Sequence, residues 1–127
     1  MLYADITEAI IEAFFKVHKT VGPGCSEDEY ENAMMEELIS RGLKVENHKK
    51  IKVRYSNNEF RERVIDLMVN DSVLLSILAD YSLRKEHKTE LKKCLMATNT
   101  KVGLLLNFGK KADFQRMVLS KEEMEWQ

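Results

Sequence analysis

Three kinds of side chain in this sequence have chemistry to offer, and their spacing narrows what that chemistry would be. His18, His48 and His87 lie far apart, and none has a second ligand at metal-binding spacing. Capping or hydrogen bonding inside the fold is therefore the expected use of His18 and His87, and exposure at the surface that of His48. Cys25 and Cys94 sit in unlike contexts and match no metal-ligand spacing, so they read as free thiols of a reducing compartment, the cytoplasm. Cations cluster at Lys85, Lys88 and Lys92, with Arg84 and Lys93 beside them, and again at Lys49, Lys50, Lys52 and Arg54. Either cluster could meet phosphates, because each neutralised phosphate releases counterions and adds affinity. The bland alternatives are a solvated helix face for the first and an exposed strand guarded against aggregation for the second. Opposing both are Glu27, Asp28, Glu29, Glu31, Glu36 and Glu37, an acidic segment that would repel nucleic acid or attract a basic partner. No Gly-rich phosphate loop, nucleophile elbow or zinc motif occurs.

The elements that must position these groups come from one core. A chain of 127 residues with 44% hydrophobic and 32% charged residues has the balance of a soluble globular protein and the size of a single domain, residues 1–127. Its net charge of −1 supplies no global field toward nucleic acid or anionic lipid, so any such contact must be local. The longest apolar run, Val73 to Ala79, falls well short of the roughly 20 residues of a membrane span. Asp5, Glu8 and Glu12 near the start argue against a signal peptide or anchor, and no membrane partner is expected.

Ile6, Ile10, Phe14, Val17 and Val21 recur at helical steps, predicting a first helix that ends near Thr20, before Gly22-Pro23-Gly24. Ser26 and Glu29 have the spacing of a capping box, and Tyr30, Ala33, Met34 and Leu38 supply the buried stripe of a second helix to about Arg41. The period then changes. Lys44 to Tyr55 alternates as a half-exposed strand, Ser56-Asn57-Asn58 turns, and an extended run reaches Val69. After Asn70-Asp71-Ser72, the near-continuous apolarity of Val73 to Ala79 predicts a central strand covered on both faces. Leu91, Cys94, Leu95 and Thr98 give the inward stripe of a helix over Lys85 to Ala97, which turns Lys85, Lys88 and Lys92 to water. Val102 to Phe108 reads as a second buried strand, parallel to the first if the helix is a crossover. Asp113 to Leu119 reads as an edge strand and the tail from Ser120 as a helical turn. Met34, Met68 and Met96 are expected as core filler, and Trp126 as a possible anchor for a neighbouring subunit.

The segment Gly24-Cys25-Ser26-Glu27-Asp28-Glu29-Tyr30 matches the signature of the GxxExxY family of the PD-(D/E)XK nuclease superfamily. Four more segments resemble that family in order and spacing: Val17-His18 ahead of Gly22-Pro23-Gly24, Arg41 to Val45, Asp66-Leu67, and Val102 to Leu105 running on to Asn107-Phe108. The resemblance spans about residues 6 to 119. It implies an α/β fold with a restriction-endonuclease-like core, in which a mixed central β-sheet is flanked by helices in the order α-α-β-β-β-α-β-β. It also implies a site in which carboxylates hold a Mg²⁺-like ion while a lysine offsets charge on the attacked phosphoryl group.

On that resemblance Asp66 takes the position of the first acid and the metal ligand, and Glu27 that of the helix acid, kept ionised by the helix dipole. The second acid and the lysine would fall at Ser76 and Leu78, where a hydroxyl is a weak neutral ligand and an aliphatic side chain is none. Loss of one such group costs roughly 10²- to 10⁴-fold in rate. Glu90 and Cys94 stand where the family shows glutamine and tyrosine, while His87 matches. Asp80 shares strand parity with Ser76 but lies about 13 Å further along, so Glu90 is the better candidate for a substitute carboxylate. Two functional readings result. The first is a nuclease-fold protein without catalysis or cofactor, serving as a nucleic-acid- or protein-binding module, with Lys85, Lys88 and Lys92 as the phosphate-facing residues. The alternative is a Mg-dependent nuclease with a rearranged site of Glu27, Asp66 and Glu90. A homodimer through the Val102 to Leu119 edge is a third possibility.

Overall fold

The computed structural model describes residues 3–125, so Trp126 lies outside the described residues. Helix α1, Ala4–Val21, buries the stripe Ile10, Ala13, Phe14 and Val17. Helix α2, Glu27–Ser40, starts on the expected reciprocal cap: the Ser26 hydroxyl accepts the Glu29 N–H, and the Glu29 carboxylate accepts the Ser26 N–H, each at 3.2 Å. It turns Tyr30, Met34 and Leu38 inward. Five strands follow, with a helix between the third and fourth: β1 Val45–Arg54, β2 Phe60–Val69, β3 Val73–Leu78, α3 Lys85–Thr98, β4 Val102–Phe108 and β5 Ala112–Val118. A short α4, Lys121–Glu125, follows β5.

The sheet order is β1-β2-β3-β4-β5, with β3 and β4 parallel and the other pairs antiparallel. The parallel pair follows from the α3 crossover, since a short hairpin can join only antiparallel neighbours. Strand alternation sends Val73, Leu75 and Ile77 to the face covered by α1 and α2, and Leu74 to the face covered by α3 with Leu91 and Leu95. All seven residues of β4 are buried, as befits a strand with helices on both sides. Of the segment from Val102 to Leu119, β4 lies between β3 and β5 as the expected buried strand, and β5 forms one edge of the sheet, β1 forming the other. Among the described residues no helix is long and apolar enough to cross a membrane.

One irregularity matters for the site. Leu67 packs toward α1 and α2, whereas Ile65, two residues earlier, packs toward α3. The alternation therefore breaks at Asp66, next to His48, whose φ of +52° is a left-handed backbone conformation. At the same point β2 parts from β3, the two being paired only over Leu67–Val69 and Val73–Leu75.

Candidate functional site

Parting strands leave backbone donors without a ladder partner, and such donors must be satisfied when buried. Here carboxylates do it. Asp66 Oδ2 accepts the Ile77 N–H at 2.7 Å, and Glu27 Oε2, from the first turn of α2, accepts the Ala79 N–H at 3.1 Å. The wedge between the parting strands and α3 forms a cleft of about 400 Å³. Asp66, Ser76 and Leu78 face into it from the sheet, and His87, Glu90 and Cys94 from the helix. Six positions singled out in the sequence are thus gathered in one cavity, while Glu27 reaches the same strand end from α2. Lys85, Lys88 and Lys92 do not line the cleft.

Glu90, Arg63 and His87 of the cleft already have partners within the protein. Glu90 Oε1 accepts the Tyr55 hydroxyl at 2.8 Å and lies 3.0 Å from Arg63 Nε. Arg63 also donates to the Tyr55 oxygen at 2.7 Å. His87 Nδ1 accepts the Arg84 backbone N–H at 2.9 Å, so its proton rests on Nε2, which faces Asp80 Oδ2 at 2.7 Å. Asp80 is therefore tied to His87 and is not turned toward Asp66. The loop bearing it is pinned by Asn107, whose side chain accepts the Asp80 N–H and donates to the Asp80 carbonyl. Leu78 packs with the apolar cluster under α3, together with Leu83 and Cys94.

Electrostatics follow burial. Desolvation, reinforced by Glu27 and Asp28, raises the Asp66 pKa above the ordinary aspartate value against the opposing pull of the Ile77 N–H and of His48. Glu31, 5% exposed, is raised by burial first and by Asp66 second, with His48 opposing; its Oε1 lies 2.6 Å from His48 Nε2. Burial pushes the Cys94 thiol up to about 11. Among the described residues no three His, Cys, Asp or Glu side chains form a group that could hold a metal ion. Glu27, Asp66 and Glu90 accordingly stand as separate, individually hydrogen-bonded carboxylates.

Outside the cleft, His18 Nε2 hydrogen-bonds the Gly109 carbonyl at 2.8 Å, the internal role expected of it. His48 is exposed as expected but also serves as the partner of Glu31. Lys85 and Lys88 are exposed, whereas Lys92 is engaged by Glu123 of α4. The segment from Gly24 to Tyr30 is explained by local structure. Gly24 has φ +90°, a conformation costly for any side chain. The Tyr30 hydroxyl donates to the Gly22 carbonyl at 2.6 Å and accepts the Cys25 N–H at 3.3 Å, while its ring stacks on Phe108. Tyr55 and Arg63 were missed in the sequence. Their only signal is the alternation of the β1–β2 hairpin, which puts Arg63 opposite Ile51 on the α3 side.

A sequence profile of the PD-(D/E)XK nuclease superfamily matches residues 4–117. No curated protein matches the chain significantly.

Proposed function

The chain belongs to the PD-(D/E)XK nuclease superfamily, and from that premise we propose that its domain has given up phosphodiester hydrolysis and works by binding. The five-stranded mixed sheet between helices is a restriction-endonuclease-like α/β fold, and the segment Gly24 to Tyr30 suits a divergent GxxExxY member of it. The observation that carries the reading is the pair Ser76 and Leu78 facing the cleft beside Asp66. A Mg²⁺ ion seeks several hard oxygens in near-octahedral array. What the sheet turns to the cleft instead is one half-buried carboxylate bonded to Ile77, a neutral hydroxyl and a leucine, with Glu86 and Glu90 on the α3 side. Glu27 and Glu90, the reserve carboxylates, already serve the Ala79 N–H and the Tyr55–Arg63 pair. These residues do not fit the ion.

The binding partner in this reading is nucleic acid at the α3 face or a protein, in a reducing cytoplasm where Cys25 and Cys94 stay as free thiols. Lys85 and Lys88 stand exposed on α3, so phosphate contact there rests chiefly on these two, Lys92 being held by Glu123. The test is cleavage of labelled single- and double-stranded DNA and RNA, with Mg²⁺ or Mn²⁺, by the unmodified chain. No cleavage is expected. Cleavage abolished by Asp66→Ala would instead establish a rearranged nuclease built on Glu27, Asp66 and Glu90. Retention of the same oligonucleotides should weaken when Lys85, Lys88 and Lys92 are reversed to Glu, with a flatter salt dependence.

A further inference from the structure

Beyond Asp66 the β1–β2 ribbon stands clear of the rest of the sheet, because from Phe60 to Ile65 the only strand paired with β2 is β1. The register sets Lys50 opposite Val64, Lys52 opposite Glu62 and Arg54 opposite Phe60. Strand alternation puts these six side chains on the face away from Ile51, which packs under α3. All six are exposed, Phe60 at 64% and Val64 at 53%. Among the described residues Lys50 and Lys52 form no ion pair, and Arg54 is steadied by the Asn58 side-chain oxygen at 2.6 Å. β1 is also the outermost strand, so a row of its backbone N–H and C=O groups points away from β2, open to another strand.

We propose that the outer edge of β1 receives an extended acidic segment of another protein as an added strand, with alternate carboxylates meeting Lys50, Lys52 and Arg54. Same-face residues recur about every 6.6–6.8 Å along any strand, so acids at every second position of the partner fall in step with the three cations. Backbone pairing then supplies affinity and the charges supply register. A second copy of this chain is disfavoured, because β1 against β1 brings cation against cation. A nucleic acid would neutralise the lysines but has no backbone groups to complete the ladder.

The test uses the isotope-labelled full chain and a capped peptide of alternating Glu and Val, with a Lys-Val peptide and an oligothymidine as comparisons. The Glu-Val peptide is expected to shift resonances of β1 and to protect β1 amides from hydrogen exchange, while the Lys-Val peptide does neither. In the variant Lys50→Glu, Lys52→Glu, Arg54→Glu, affinity for the Glu-Val peptide should fall about tenfold, from three exposed pairs of roughly 0.5 kcal/mol each. The same variant should gain affinity for the Lys-Val peptide, a result that mere unfolding cannot produce. Absence of amide protection, or oligothymidine binding at these residues more tightly than the Glu-Val peptide, overturns the proposal. Neither result touches the cleft, so the reading of Ser76 and Leu78 stands or falls separately.

Discussion

Asp66→Ala and Asp66→Asn should act on the fold in different ways, because the carboxylate brings a hydrogen bond that the structure needs and a charge that it does not. Asp66 Oδ2 accepts the Ile77 N–H at 2.7 Å, and Ile77 is 2% exposed. A methyl group at position 66 leaves that buried donor unpaired, which costs about 1–3 kcal/mol. Asparagine keeps an acceptor of similar shape and removes a charge disfavoured by burial and by Glu27 and Asp28. The Asp66 pKa is raised in the folded state, so between the ordinary aspartate value and the raised one the folded chain binds more protons than the unfolded chain. Stability from this group is then greatest on the acid side and falls as pH rises through that window. Asp66→Asn should therefore match or exceed the unmodified chain at neutral pH and lose part of this advantage on acidification. Equilibrium urea unfolding, followed by circular dichroism at several pH values, reads both effects. An Asn variant as damaged as the Ala variant, or one whose advantage grows as pH falls, would refute the reasoning.

Tyr30→Phe removes the donor to the Gly22 carbonyl and the acceptor of the Cys25 N–H. It should cost about 1 kcal/mol or more in urea unfolding, and a neutral change would contradict a role in holding the loop before α2. Gly109→Ala would bring a Cβ to 2.9 Å from the Asp80 carbonyl and 3.2 Å from the Asn107 amide nitrogen. The overpacking should destabilise by about 1–3 kcal/mol, seen as a lower Tm; an unchanged Tm would show that the loop yields freely. In a Cys25→Ser background the Cys94 thiol, pushed up to about 11 by burial, should react slowly with a disulfide reagent at mildly alkaline pH and quickly in urea. Equal rates in the two conditions would contradict its placement in the cleft wall.

Local chemistry was legible in the sequence where neighbours along the chain decide it. The Ser26–Glu29 cap, the α1 stripe from Ile10 to Val17, and the bounds of β4 all depend on short-range spacing, and the structure reproduces them. The apolar run of Val73 to Leu78 marked the buried strand, and the length of α3 marked the parallel crossover. Long-range partners were not legible. Nothing near Glu90 announces that Tyr55 and Arg63, on the β1–β2 hairpin, hold its carboxylate, nor does Lys92 announce Glu123. The left-handed backbone at His48 and the break of alternation at Asp66 accompany the parting of β2 from β3, and a two-residue period does not encode them. The cleft residues themselves were visible only through the family resemblance, since Ser76 and Leu78 look like ordinary members of an apolar strand.

The account rests on what surrounds Asp66, and calorimetric titration of the unmodified chain with Mn²⁺ addresses it most directly. With a serine and a leucine facing the cleft and both auxiliary carboxylates engaged, no binding heat is predicted up to millimolar ion, and Asp66→Ala should give the same trace. Saturable binding in the micromolar to low millimolar range that vanishes in Asp66→Ala would contradict the account.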